Sequence, residues 1–297
     1  MRDQFSIRFW GVRGSLATSG ADFARVGGNT SCVEVRVGDE RIILDAGTGL
    51  FPLGQTLRAP VRASFFVSHF HWDHIQGFPF FRPAYVPGNL FTLHGPQGLE
   101  ATLRRQMQTP NFPVTLDAMR AHLEFRSMES GAEVRIGGAR VRAVALNHPQ
   151  GCFGYRISYA GKSLVYATDT EAFAAGEDDG TVELARGADV LIYDAQYTDD
   201  EYYGRSGPPR EGWGHSTVSE ACRIARVAGV RQLVLFHHDP THDDDTVEAL
   251  TEEARNLFPN VIAAREGLVV DLSQLAGADD AARWGDKPAE PFFDSLF

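Results

Sequence analysis

The stretch Ser64-Phe65-Phe66-Val67-Ser68-His69-Phe70-His71-Trp72-Asp73-His74 decides how this chain is read. Ala63–Val67 is a short apolar run rich in aromatic and β-branched residues, the pattern of a buried strand. Directly after it, four ligand-type side chains occupy six positions, His69 to His74. Residues two apart in an extended chain share a face, so His69 and His71 can grip one ion together. The turn into the next segment lets Asp73 and His74 point at a second. A lone histidine is more often an ordinary core or surface residue. Four such side chains at the end of a buried strand, with no metal, would concentrate desolvated imidazoles for no gain. Imidazole plus carboxylate is a ligand set for Zn, Fe or Mn, with no thiolate required. Six positions cannot complete two sites, so partners must come from elsewhere in the chain.

Outward from this stretch, the chain reads as two series of strands. Upstream are Phe5–Phe9, Cys32–Val37 and Arg41–Leu44, with a turn at Gly27, Gly28 and Asn29. From Gly77 to Pro113 the sequence is rich in Pro, Gly and aromatics, and holds a strand at Leu90–His94 and a helix near Gly98–Met107. The second series comprises Leu123–Phe125, Glu133–Ile136, Arg140–Leu146, Phe153–Tyr159 and Ser163–Tyr166. Strands at Val190–Tyr193 and Gln232–Phe236 flank a helix at Thr217–Ala228, with Ser216 as its expected N-cap. A helix near Thr246–Leu257 precedes a last strand around Leu268–Asp271. Two strand series, each closing with helices, predict an α/β fold: two sheets packed face to face with helices outside, an αββα sandwich. There is no fixed-period repeat. The expected division is one domain over 1–274 and a polar tail over 275–297.

The chain has 297 residues, 43% hydrophobic and 23% charged, an ordinary globular balance with enough length for a sizeable core. The formal net charge of -11 repels a nucleic-acid backbone, so extended nucleic acid is not the expected partner and any polyanion site must be local. The three cysteines, Cys32, Cys152 and Cys222, are odd in number and far apart, which reads as buried free thiols. The N-terminal residues lack the pattern of a signal peptide, and no window approaches the ~18 apolar residues of a membrane helix. A reducing, cytoplasmic setting is the default expectation.

His69-Phe70-His71-Trp72-Asp73-His74 resembles the HxHxDH signature of the metallo-β-lactamase superfamily, and later pieces follow in that family's order. Leu146-Asn147-His148-Pro149 ends one strand, Tyr166-Ala167-Thr168-Asp169-Thr170 another, and Leu235-Phe236-His237-His238-Asp239 a late one. The resemblance spans roughly Phe5 to Asp271. It implies two divalent ions per chain, Zn first and Mn or Fe also suited. His69, His71 and His148 would hold one, Asp73, His74 and His237 the other, with Asp169 bridging and offsetting cation–cation repulsion. Asp45 in Leu44-Asp45-Ala46-Gly47-Thr48-Gly49 resembles the family's strand-end Asp, which would orient a histidine or loop amides. Gly47–Gly49 reads as a tight turn, because no GK[ST] follows. His94, His122 and His242 stay outside the ligand set.

Gly212-Trp213-Gly214-His215-Ser216-Thr217 resembles the HST segment of the phosphodiesterase branch, which includes tRNase Z. His215 would assist the leaving group, and Asp194, where the tRNA enzyme more often has Glu, would orient it. Asp73 would double as proton acceptor. The tRNA enzyme inserts a basic Gly/Pro-rich arm between the third His and the bridging Asp. Here His148 and Asp169 are 21 positions apart (169 − 148), filled by two strands and a turn. With Phe9-Trp10-Gly11-Val12-Arg13-Gly14-Ser15, this resembles the compact branch that includes cyclic phosphate and cyclic nucleotide phosphodiesterases. The expected activity is hydrolysis of a small phosphodiester. A tRNase Z-like or other nuclease, a carbon-ester or lactone hydrolase, and a metal-bound binding protein without turnover are the alternatives. Phe78, Phe80, Phe81, Tyr85 and Phe91 either line a pocket for a flat base or are ordinary core. Arg13 and Arg82 are candidate phosphate contacts, and a homodimer is the default assembly.

Overall fold

A computed structural model describes residues 4–171 and 180–275. The tail expected over 275–297 lies outside the described residues except for Leu275, which packs against the central core. In chain order the strands are β1 Phe5–Gly11, β2 Cys32–Val37, β3 Glu40–Leu44, β4 Arg62–Phe66, β5 Leu90–Gly95, β6 His122–Ser127 and β7 Glu133–Ile136. They continue with β8 Ala139–Leu146, β9 Cys152–Tyr159, β10 Lys162–Ala167, β11 Val190–Asp194, β12 Gln232–Phe236, β13 Val261–Ala263 and β14 Val269–Asp271. The α-helices are α1 Leu50–Thr56, α2 Trp72–Ile75, α3 Leu99–Gln106, α4 Gly180–Ala185, α5 Asp199–Tyr202, α6 Val218–Val227 and α7 Asp244–Leu257.

The strands form two seven-stranded sheets, β14-β1-β2-β3-β4-β5-β6 and β13-β12-β11-β10-β9-β8-β7. Both follow one plan. From β14 to β3, and from β7 to β10, neighbours pair antiparallel. From β3 to β6, and from β10 to β13, they pair parallel. No sequence repeat announces this duplication. Short connections join β2 to β3, β7 to β8, β8 to β9 and β9 to β10, while the parallel halves need crossovers, and those crossovers supply the outer helices.

The inner parallel strands β4, β11 and β12 are buried on both faces, which explains their apolar runs, while the edge strand β6 is partly exposed. In β4, Phe66 enters the core between the sheets while Phe65 enters the core under the first sheet's outer turns and helices. In β11 and β12, Ile192, Val234 and Phe236 face the centre, and Leu191, Leu233 and Leu235 face α6 and its neighbours. Phe78, Phe81 and Phe91 are fully buried and edge-packed around Phe65, so of the two readings of these aromatics the core one holds for them. Phe80 is exposed against Phe112, and the Tyr85 hydroxyl donates to the Pro79 carbonyl.

Three sequence expectations are corrected. Arg13 is fully buried and donates to the carbonyls of Gly27, Asp239 and His242, so it clamps backbone and is no phosphate contact. The cap of α6 is Thr217, whose side chain accepts from the Glu220 amide, while the Ser216 hydroxyl donates to the Thr170 carbonyl. The last long helix begins at Asp244 with Asp243 as its cap, two residues before Thr246. Arg82 is exposed in the turn Arg82–Tyr85 and makes no hydrogen bond to a site residue among the described residues.

The Tyr155 hydroxyl on β9 donates to the carbonyl of Val67 at the end of β4, 2.6 Å away, tying the two sheets together just below the ligand loop. Tyr155→Phe would leave that buried carbonyl unpaired and lower stability by about 1–3 kcal/mol, measurable by urea unfolding. An unchanged midpoint would show that the bond contributes nothing.

Candidate dinuclear metal site

The site lies at the carboxyl ends of strands from both sheets, where open α/β sheets place their ligands. Asp45 follows β3, Ser68 and His69 follow β4, His148 follows β8, Asp169 follows β10, and His237 follows β12, while Asp194 closes β11. Three of these residues have left-handed backbone: Asp45 (φ 59°), Asp169 (φ 52°) and His237 (φ 62°). Such a conformation costs an L-residue roughly 1–2 kcal/mol and turns each side chain sharply off its strand. Strain of this kind clusters where function demands it.

Two nests of ligand atoms result. His69, His71, His148 and Asp169 form one, and Asp73, His74, Asp169 and His237 the other; within each, the atoms lie within 4.8 Å of one another. Asp169 stands between them. Its Oδ2 is 3.6 Å from His69 Nε2, and its Oδ1 is 3.1 Å from His74 Nε2 and 3.3 Å from His237 Nε2. Asp73 Oδ2 is 3.2 Å from His74 Nε2 and 3.1 Å from His237 Nε2.

Whether these residues suit metal ions is decided by the outward faces of the rings. His69 Nδ1 meets Ser68 Oγ at 3.0 Å, His74 Nδ1 meets Asp45 Oδ2 at 2.7 Å, His148 Nδ1 meets the Gly214 carbonyl at 2.8 Å, and His237 Nδ1 meets Gln196 Oε1 at 2.9 Å. Carbonyls and carboxylates only accept, so they fix the proton on Nδ1 and turn the Nε2 lone pair inward. Ser68 behaves likewise, because its hydroxyl donates to Asp45 Oδ2 and leaves a lone pair for His69. His71 is reversed: Nε2 faces Gln150, and Nδ1 lies 3.2 Å from His148 Nε2. His69 Nε2 is buried with no hydrogen-bond partner. Converging lone pairs with nothing between them repel; a cation removes the conflict, so the donor set fits two divalent ions.

The electrostatics agree. Burial lowers the pKa of His69 well below the ordinary imidazole value, aided by His74, and burial likewise lowers that of His148. Burial opposes ionisation of Asp169, but His237, His74 and His69 outweigh it and hold the carboxyl well below its usual range. His74 and His237 do the same for Asp73. Burial opposes the charged form of His74 too, yet Asp169, Asp73 and Asp45 lift its pKa well above the ordinary value. The carboxylates therefore demand positive charge at this point, and metal binding would displace the proton on His74.

Beside the nests, His215 Nδ1 lies 2.8 Å from Asp194 Oδ2, and the ring stacks on His237 with centroids 5.1 Å apart. Burial works against its charge, but Asp194, Asp169 and Asp73 raise its pKa to about 9 among the protein's own charges. Asp194 is itself held by the amides of Thr170 and Gln196. Every ligand and catalytic candidate named from sequence is thus brought to one place. His238 is turned away, donating to the Ala264 carbonyl, and burial lowers its pKa to about 3. His242 pairs with Glu201, and His94 stacks on Phe66.

Sequence reasoning missed several supports. Ser68, Gln196 and the Gly214 carbonyl each tether a ring, and the Ser15 amide donates to Asp73 Oδ2 at 2.8 Å. Two glycines serve these tethers by having no side chain. A Cβ at Gly14 would sit 2.5 Å from His237 Nδ1, and one at Gly214 (φ 86°) would sit 2.3 Å from His148 Nδ1.

Asp45 Oδ2 accepts from His74, the Ser68 hydroxyl and the Tyr166 hydroxyl, and Oδ1 accepts from the Ser68 amide. Asp45→Ala should therefore weaken metal binding by about 10–100-fold, read as metal retained per chain under competition with a chelator. Wild-type retention would show that Asp45 does not set the rings.

Residues 40–238 match the family described as the beta-lactamase superfamily domain. A protein of Gemmatimonas aurantiaca named ribonuclease Z is 39% identical over 113 residues, 38% of this chain and 32% of that protein. A ribonuclease Z of Methanosarcina mazei is 27% identical over an alignment of 330 residues, covering 90% of this chain and 97% of that one. The crystal structure of the metallo-beta-lactamase fold protein YhfI from Bacillus subtilis superposes with a TM-score of 0.70 at 21% identity, over 91% of this chain and 99% of that chain. With that family match over most of its length and two packed sheets flanked by helices, the chain belongs to the beta-lactamase superfamily and has the metallo-β-lactamase fold.

Proposed function

We propose that this protein is a dinuclear metal-dependent phosphodiesterase acting on a small substrate such as a cyclic nucleotide or cyclic phosphate. The observation that carries this reading is Asp169, with one carboxylate oxygen toward each nest and the His215–Asp194 pair at its edge. His69, His71 and His148 would hold one ion and Asp73, His74 and His237 the second, shared through Asp169. Zn is the first expectation, and Mn and Fe suit the same N/O donors. When bound, two divalent ions lower the pKa of water and neutralise charge on a phosphoryl group.

The chain's own residues then divide the proton work. Asp73, whose carboxylate accepts from the Ser15 amide, would take the proton lost by an attacking water. The water oxygen bonds to phosphorus as the bond to the leaving oxygen breaks. Asp194 favours the charged form of His215, and the ring has Nε2 free of protein partners among the described residues, so it would deliver a proton to the leaving oxygen. Asp194 keeps the ring oriented and stabilises its charged form.

Support for a small substrate comes from the span between His148 and Asp169. It is the β9–β10 hairpin, with no inserted arm, on a chain of net charge -11. The relatives named ribonuclease Z favour RNA as the second reading. A screen of cyclic nucleotides, linear dinucleotides, bis-p-nitrophenyl phosphate, lactones and thioesters with added Zn or Mn separates these readings. The expected result is turnover of small phosphodiesters, with none of lactones or thioesters. RNA cleavage that weakens steeply with salt would favour the nuclease.

Two mutational outcomes follow. His69→Ala and Asp169→Ala should each lose bound metal, measured by elemental analysis, together with turnover; retention of both would refute the scheme. His215→Ala should keep its metal and lose about 10²–10⁴-fold in kcat on esters with poor leaving groups. In the wild type that activity should fall on the alkaline side as His215 loses its proton, and the variant should lack this fall.

A further inference from the structure

Building on the role given to His215, we infer that Glu171 is a positioning residue that sets the loop carrying His215. Glu171 lies two residues beyond Asp169, and its carboxylate gathers three donors. Oε1 accepts from the Gly212 amide at 2.7 Å and from the Tyr202 hydroxyl, and Oε2 accepts from the Gly214 amide at 2.9 Å. Its backbone closes a second bridge: the Glu171 amide donates to the Asn147 carbonyl at 2.8 Å, and the Asn147 side chain donates to the Glu171 carbonyl at 3.1 Å. One residue thereby joins the strand end carrying Asp169, the strand end carrying His148, and the loop carrying His215.

The loop needs such an anchor. Gly212 and Gly214 both have positive φ, 80° and 86°, a conformation open to glycine but not self-supporting. With both amides aimed at one carboxylate, the Gly214 carbonyl is free to face His148 Nδ1 at 2.8 Å, and the next residue, His215, reaches Asp194. The amides form a small concave anion-binding turn of the kind that elsewhere holds free anions, here filled by the chain's own carboxylate. Glu171 touches neither nest directly, so it acts through Gly214 and His215.

The test uses the metal-loaded enzyme and two phosphodiesters, one releasing p-nitrophenolate, which departs without a proton, and one releasing an alkoxide, which needs it. Glu171→Gln places an NH2 group against at least one of the three donors. It should lower kcat on the alkyl ester by about 10–100-fold, with a much smaller loss on the aryl ester and unchanged metal content. His215→Ala should show the same ester dependence, and the double variant should lose little more than His215→Ala alone. Tyr202→Phe, which removes a single donor, should show a weaker version of the pattern and covers the case in which Glu171→Gln does not fold. Equal losses on the two esters, or a lowered melting temperature with unchanged kinetics, would overturn the role of Glu171. If His215→Ala itself fails to distinguish the esters, the reading of His215 under the proposed function falls first, and this inference with it.

Discussion

The arrangement depends on what happens behind the imidazoles. Four of the five rings in the nests have Nδ1 tied outward to an acceptor, so their Nε2 atoms point to the centre. A histidine left free would rotate, or take a proton on the inner nitrogen and repel a cation. Asp45 has the largest share, because one carboxylate orients His74, polarises the Ser68 hydroxyl that orients His69, and accepts from Tyr166 in the opposite sheet. That carboxylate is fully buried, a placement tolerable only because four donors saturate it. The left-handed backbone at Asp45, Asp169 and His237 is a cost borne locally by the surrounding cores, whose Phe, Val, Ile and Leu side chains fix the strands beneath.

Much of this could be read in the sequence, and the pattern of success has physical causes. Buried parallel strands leave unbroken apolar runs, so β3, β4, β11 and β12 were visible to within a residue or so. The candidate ligands were visible because they crowd one loop or close a strand. The tethers were not. Ser68, Gln196 and Glu171 are single polar residues without a spacing rule, and their partners lie far along the chain. The Gly214 carbonyl has no side chain to see. Arg13, expected as a phosphate contact, is instead buried, with three carbonyls accepting from it and Asp244 facing its charge. Helix α1 escaped because Pro52 and Gly54 interrupt its pattern, and β13, at three residues, is too short for any periodicity to register.

The alternation of antiparallel and parallel halves also explains where chemistry can occur. In each sheet the parallel half presents several strand ends at one edge, and β8, which runs in the same direction as β10, adds His148 from the antiparallel half. Setting two such edges together fixes the backbone on one side of Asp45, Asp169 and His237. Loops such as 212–215 then supply the groups that must approach from the open side.

The candidate ligands are drawn from both layers: the loop after β4 belongs to one sheet, and His148, Asp169 and His237 belong to the other. A cation held there would act as a rivet across the sandwich. Binding energy would then be inseparable from the cohesion of the two halves, because the site exists only in the assembled state. Resistance to heat or protease would accordingly track the free concentration of the ion, and differently purified batches of the same polypeptide could differ in durability for reasons unrelated to its covalent structure.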